Sequence, residues 1–334
     1  MLNGKSILVT GGTGSFGQSF IKTLLDRYEP HRVIVYSRDE WKQSEMAAKP
    51  EFKHSAVRFF LGDVRDGDRL NRAMRGVDYV VHSAALKQVP AAEYNPHEFI
   101  KTNVNGATNI VEAALTAGVK KVVALSTDKA VNPVNLYGAT KLCSDKVFVA
   151  ANSYAGEGGT TFSVVRYGNV VGSRGSVIPL FCRQRENGKI TVTDPDMTRF
   201  LITLDQGVEF VLRSLDVMVG GELFVPKIPA CTVSDIAQVV APDCEWEVLG
   251  LRPGEKVHEV LIPEDEARNV LEFDDHFVIQ PIQSFWGNKI GILGGVSCSP
   301  GFRYASNSNC ETFTKEQLTA LLAEYLPANR RESE

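Results

Sequence analysis

The chain begins with an unbroken apolar run, Ser6-Ile7-Leu8-Val9-Thr10, that passes without a spacer into Gly11-Gly12-Thr13-Gly14-Ser15-Phe16-Gly17 and on into an amphipathic stretch from Phe16 to Leu25. Such a run suits a parallel strand covered on both faces. Gly11, Gly14 and Gly17 recur every third residue, a variant of the dinucleotide fingerprint. Glycines there permit a tight turn and let backbone N–H groups approach a pyrophosphate, and the helix start adds a favourable dipole. Glycines also simply punctuate loops. Bracketed by strand and helix, this turn points to nucleotide binding, with Thr13, Ser15 and Phe16 among the expected contacts.

The same rhythm continues. Val33-Ile34-Val35-Tyr36, Val57-Arg58-Phe59-Phe60-Leu61, Tyr79-Val80-Val81-His82, Lys121-Val122-Val123-Ala124-Leu125 and Phe162-Ser163-Val164-Val165-Arg166 alternate with helical segments. Six such strands imply an α/β fold, a Rossmann-like doubly wound parallel sheet. A chain of 334 residues exceeds one core, so a smaller C-terminal substrate domain is expected. The division expected is 1–168 for the nucleotide-binding domain and 169–334 for a mainly substrate-binding one, with some later segments returning to the first. A net charge of −4 provides no global basic field, which argues against nucleic acid as a partner. No apolar run approaches the roughly twenty residues of a membrane span, and no signal peptide precedes the first strand, so a cytoplasmic protein is expected. The six cysteines are scattered and no histidines stand at metal-ligand spacing, which suggests neither disulfides nor a metal site. Cys143 is expected to be partly buried and inert.

The end of the second strand bears on cofactor choice. Ser37-Arg38-Asp39-Glu40-Trp41-Lys42 follows the glycines by roughly twenty residues, where an NAD site places an acid against the ribose. A hydroxyl, the Arg38 guanidinium and Lys42 suit a 2′-phosphate and favour NADP; Asp39 and Glu40 keep NAD open. Ligands of such sheets bind beyond the carboxyl ends of the strands, where Asp63, Ser83, Lys87, Asp128 and Asn169 fall. Asp63 with Val64 is placed to flank an adenine, Ser83 and Ala84 are small enough for close cofactor approach, and Lys87 can reach a phosphate or sugar. Each is also an ordinary loop residue.

Ser126-Thr127-Asp128-Lys129 is followed by Tyr137 and Lys141, which lie one helical turn apart and share a face. An ammonium there can stabilise a phenolate, which makes a redox pair. The tyrosine must lose about three pK units, roughly 4 kcal/mol, to act as a base at neutral pH. Asp128 and Lys129 add an acid and an amine that alcohol oxidation does not need, so elimination is expected as well. Farther on, the turn-rich segment around Arg174, Gly175, Ser176, Val177 and Ile178 suits ligand wrapping, and Arg199 and Arg252 are candidate diphosphate clamps, though either can simply be solvated. Residues 287–309 read as loop before a final helix.

Taken together, Val9-Thr10-Gly11-Gly12-Thr13-Gly14-Ser15-Phe16-Gly17, Tyr36-Ser37-Arg38-Asp39-Glu40, Ser126-Thr127-Asp128-Lys129, Leu136-Tyr137-Gly138-Ala139-Thr140-Lys141, Arg166-Tyr167-Gly168-Asn169-Val170 and Arg252-Pro253-Gly254-Glu255-Lys256 resemble the extended short-chain dehydrogenases/reductases. Within these the chain is most similar to the inverting UDP-N-acetylglucosamine 4,6-dehydratases that begin pseudaminic acid synthesis. Asp followed by Lys after the Ser-Thr is the specific mark: retaining dehydratases carry Asp-Glu, and common epimerases a small or hydroxyl residue in place of the acid. The resemblance implies Tyr137 as base at the C4 hydroxyl with Lys141 beside it, Lys129 as base at C5 and Asp128 as acid toward the C6 hydroxyl. It also implies Thr102 and Val170 at the cofactor, Glu255 at the substrate, a homo-oligomer that is often a hexamer, and a role in flagellin or surface-glycan decoration. A retaining dehydratase or 4-epimerase remains the alternative. A non-catalytic NADP(H) sensor would lack the constellation; the fold alone does not separate these readings.

Overall fold

The computed structural model describes residues 2–173, 176–282 and 294–326. Arg174 and Gly175 lie outside the described residues, as does 287–293 of the expected late loop. Strands β1 (Ser6–Thr10), β2 (Arg32–Ser37), β3 (Val57–Leu61), β4 (Tyr79–His82), β5 (Lys121–Thr127) and β6 (Thr161–Tyr167) form a parallel sheet in the order 3-2-1-4-5-6. Every residue of β1 and β4 is buried, as strands covered by helices on both faces must be. The chain reverses its direction of travel across the sheet between β1 and β4, which opens a crevice at their carboxyl ends.

The sheet continues past β6 with segments from much later in the chain. Leu223–Pro226 pairs parallel to β6, and His276–Ile279, Val270–Glu272 and Val296–Ser297 follow antiparallel. Residues after 169 therefore feed two cores. Leu261, Ile262, Val270, Phe277 and Tyr304 join the apolar core of the large sheet. Ile178, Phe181, Ile190, Val192, Ile236, Val240 and Leu318 build a second.

Two local features set the site. A Cβ on Gly17 would stand 2.5 Å from Gly12 Cα, so only glycine lets the helix Ser15–Arg27 sit directly on its turn. The β5–β6 ladder runs to Thr127 opposite Tyr167, which delivers Asp128 and Gly168 side by side where the strands end. Among the described residues no helix is long and apolar enough to cross a membrane.

Candidate active site

Beyond β5 the chain makes one tight turn, Asp128–Ala130, before entering the helix Leu136–Ala151, which Asn135 caps by accepting from Gly138 N. A Cβ on Gly138 would lie 2.1 Å from the Lys129 carbonyl oxygen, so this glycine is what allows the helix to press against the turn. Tyr137 is thereby held beside Asp128 and Lys129. The Asp128 side chain is fully buried; its Oδ1 accepts from Thr127 Oγ1 at 2.8 Å and from Lys129 Nζ at 3.0 Å. Lys129 Nζ also donates to Asn169 Oδ1 at 3.3 Å and to Glu259 Oε1 at 3.4 Å. Burial opposes the Lys129 charge, but the Asp128 and Glu259 carboxylates outweigh it and hold the ammonium well above the ordinary lysine range. Burial pushes the Tyr137 phenol up to about 12, although the Lys129 charge pulls the other way. The phenol is therefore protonated at neutral pH in the ligand-free chain.

Lys141 shares the Tyr137 face of the helix, as its spacing requires, and its Nζ donates to Leu125 O at 2.8 Å. Burial lowers its pKa while the Asp145 carboxylate, one turn farther on, opposes that. Asp145 in turn accepts from Ser126 Oγ at 2.7 Å and lies 3.7 Å from the buried Arg166 guanidinium. The buried face of this helix thus carries Tyr137, Lys141 and Asp145 in succession. Cys143 falls on the other face and is exposed, not partly buried as expected.

In the crevice, Thr13 Oγ1 and Ser37 Oγ meet at 2.9 Å, tying the glycine turn to the end of β2. Gly14 starts the helix without a side-chain cap, which leaves first-turn N–H groups of the kind that can receive an anion. Gly14 and Ser15 are exposed there and Phe16 is half-buried. Arg38 is exposed and lies 3.6 Å from Asp63 Oδ2, which Arg65 grips at 2.7 and 3.0 Å. Asp39 caps the helix Glu40–Ala48 and pairs with Lys42 Nζ at 3.0 Å, so its carboxylate turns to its own helix. Glu40 is exposed, while Val64 and Thr102 are buried. Ser83 Oγ donates to Thr10 O at 2.7 Å, and Ala84 abuts Gly11. Asn103 bonds to both Leu86 N and Leu86 O and to Thr140 Oγ1, locking the Ser83–Leu86 loop, with Lys87 exposed beside it, to the Tyr137 helix.

The later residues divide. Asn169 and Val170 pair with Leu201 and Ile202, which sets Asn169 against Lys129. The loop bearing Arg252 and Glu255 docks on the start of the Tyr137 helix through Asn135 Nδ2 to Gly254 O at 2.8 Å, and Arg252 is exposed on it. Arg199 is different. Its guanidinium donates to the carbonyls of Thr198, Val257 and Lys256 and to Met197 Sδ, with Nε 3.9 Å from Glu259. These bonds to its own chain stand where a diphosphate was expected. Ser176 and Val177 start the helix Val177–Gln184, and Ile178 is buried in the second core. Glu259 joins the site although it was not among the candidate residues of the sequence. Its only local signal is its place three residues beyond the turn-forming Arg252-Pro253-Gly254-Glu255-Lys256 segment.

The sequence profile of the family described as "Polysaccharide biosynthesis protein" matches residues 7–281. The chain belongs to that family. A family relative from Campylobacter jejuni named UDP-N-acetylglucosamine 4,6-dehydratase (inverting) is 50% identical over 330 residues, 96% of this chain and 98% of its own. One from Rickettsia conorii named UDP-glucose 4-epimerase is 41% identical over 82% of each chain. The X-ray structure of Pen from Bacillus thuringiensis superposes with a TM-score of 0.87 at 38% identity, covering 97% of this chain and 98% of that one. The architecture is that of an extended short-chain dehydrogenase/reductase.

Proposed function

We infer that this protein is a UDP-N-acetylglucosamine 4,6-dehydratase that inverts C5, a hydro-lyase giving a UDP-2-acetamido-2,6-dideoxy-4-keto-L-arabino-hexose. One observation carries the reading: an acid and an ammonium, Asp128 and Lys129, stand beside the Tyr137 phenol in a chain 50% identical over 96% of its length to a relative bearing that name. An epimerase has no use for the first two groups.

For the cofactor the reading is NADP. The uncapped helix start fits a pyrophosphate, Ser37 and the exposed Arg38 fit a 2′-phosphate, and Asp39, the acid that would favour NAD, is engaged by Lys42. A bound NADP would supply the hydride acceptor for C4 and the donor for C6. The chain's own groups move the protons. Tyr137 Oη takes the proton of the C4 hydroxyl, with Lys141 and Lys129 supplying positive charge near it. Lys129 Nζ takes the C5 proton made acidic by the 4-keto group, and Asp128 gives a proton to the departing C6 oxygen. Arg252 and Glu255 serve the sugar nucleotide from the loop above, and Lys87 reaches in from the rim. The reading extends to a cytoplasmic homo-oligomer whose product feeds pseudaminic acid or a related surface glycan, such as that on flagellin.

Arg38→Ala is expected to weaken NADP(H) by about 1.5–3 kcal/mol, roughly ten- to a hundred-fold in Kd, and NAD(H) much less, because only NADP loses a phosphate contact. Equal losses in calorimetric titrations would remove the NADP assignment. The activity itself is tested by incubating the protein with UDP-N-acetylglucosamine in D₂O and following the product by NMR. The expected product carries a C6 methyl, a 4-keto group and deuterium at an inverted C5. Retained configuration at C5 would make the enzyme a retaining dehydratase, and a C4 epimer without a methyl would make it an epimerase.

A further inference from the structure

A lysine ammonium has three N–H donors, and Lys129 finds three acceptors: Asp128 Oδ1 at 3.0 Å, Asn169 Oδ1 at 3.3 Å and Glu259 Oε1 at 3.4 Å. A neutral amine would leave one of these without a donor. The cluster is therefore built around the cation, whereas a base at C5 must be the free amine. Glu259 makes this tension sharper. Its side chain is only 4% exposed, and its backbone is fixed on both sides by Ser306, whose Oγ accepts from Glu259 N at 2.9 Å and whose N donates to Glu259 O at 2.8 Å. Among the described residues Glu259 Oε2 and Asp128 Oδ2 are buried without a hydrogen-bond partner. Two carboxylates thus converge on one ammonium, each with an oxygen in reserve.

We propose that Glu259 is a positioning residue of the elimination, which together with Asp128 keeps the proton needed for water loss on Lys129 between turnovers. The assignment rests on the dehydratase reading above. The protons then balance within the cluster. A Lys129 Nζ–H bond breaks as an Asp128 O–H bond forms, giving a free amine and a carboxylic acid. The amine takes the C5 proton, and the C5–H electron pair becomes the C5–C6 double bond. The C6–O bond breaks, its pair leaving on oxygen, which takes the Asp128 proton and departs as water. Lys129 is again an ammonium and Asp128 again a carboxylate. Glu259 takes no part in these transfers and stabilises the ammonium with which the cycle starts and ends.

The charged and titratable groups around Lys129 are Asp128 and Tyr137 on its own side and Lys87, Arg199, Lys256 and Glu259 from the elements packed against it. Removing the Glu259 charge should therefore let Lys129 lose its proton at lower pH. In Glu259→Gln the pH midpoint for acylation of Lys129 by an amine-reactive reagent, read by peptide mass spectrometry without substrate, should fall by about one to three units. The alkaline limb of C5 deuterium exchange should fall with it. Glu259→Asp, which keeps the charge, should restore both toward wild type, and Asn169→Ala, which removes an acceptor but no charge, should move the midpoint far less. Glu259→Ala offers a second route to the same readout where the amide does not fold. An unchanged midpoint in Glu259→Gln or Glu259→Ala overturns the proposal. A wild-type protein that makes no product from UDP-N-acetylglucosamine overturns the dehydratase reading instead, and the labelling still decides whether Glu259 holds the ammonium.

Discussion

Lys129→Ala is expected to abolish water loss, with C5 deuterium exchange falling by about 10²–10⁴-fold, while nucleotide binding survives. The glycine turn, Arg38 and the Arg252 loop do not touch Lys129, so titration with NADP⁺ should be close to wild type. Hydride abstraction from C4 should persist, visible as reduced nicotinamide that accumulates because no C6 acceptor forms. It should also be slower, since the Lys129 charge is one of the influences that lower the Tyr137 pKa. The same substitution leaves the fully buried Asp128 without its ion-pair partner and the nearly buried Glu259 with only the Arg199 guanidinium 3.9 Å away. Breaking a buried pair in this way costs about 3–5 kcal/mol, so the melting temperature should fall as well. Lys129→Met, which keeps the stem, separates lost packing from lost charge. Full dehydration by Lys129→Ala would remove Lys129 from the elimination and leave the C5 base to another group.

What could be read from the sequence was what depends on neighbours in the chain. The run Ser6 to Thr10, the glycines after it and the six-strand rhythm each follow from a local period, and all six strands lie in one parallel sheet as expected. The shared face of Tyr137 and Lys141 follows from helical spacing in the same way. Where the Lys141 amine goes does not, because its acceptor is the carbonyl of Leu125 on a neighbouring strand. Glu259 was out of reach for a stronger form of this reason. It meets Lys129 across 130 residues of chain, carried there by the pairing of Val260 with Ala305 and the clamp of Ser306. Arg199 looked free in sequence because the carbonyls of Lys256 and Val257 that receive it belong to a segment far along the chain. The strands Leu223–Pro226 and His276–Ile279 are short, and their place in the first sheet comes from pairing with β6 and with each other across long stretches of chain.

Tyr137→Phe should fail earlier in the reaction than Lys129→Ala and without its structural penalty. The ring packs with Ala92 and Phe99, contacts that phenylalanine keeps, so the melting temperature and nucleotide binding should stay near wild type. What is lost is the group that accepts the C4 hydroxyl proton, and hydride transfer should slow by about 10²–10⁴-fold. No 4-keto sugar then forms, the C5 proton is never acidified, and neither deuterium exchange nor a C6 methyl should appear even though Asp128, Lys129 and Glu259 are intact. The pH dependence gives an independent check. Because burial raises the phenol to about 12 in the ligand-free chain, only a small fraction is phenolate at neutral pH. That fraction grows about tenfold per pH unit until the phenol titrates. A bound nicotinamide cation moves the midpoint down without changing the sign, so wild-type hydride transfer should accelerate with rising pH below it. Tyr137→Phe should lose that slope. A variant that keeps both the wild-type rate and the slope would take the tyrosine out of the redox step and leave the Lys129 cluster as the sole site of proton transfer.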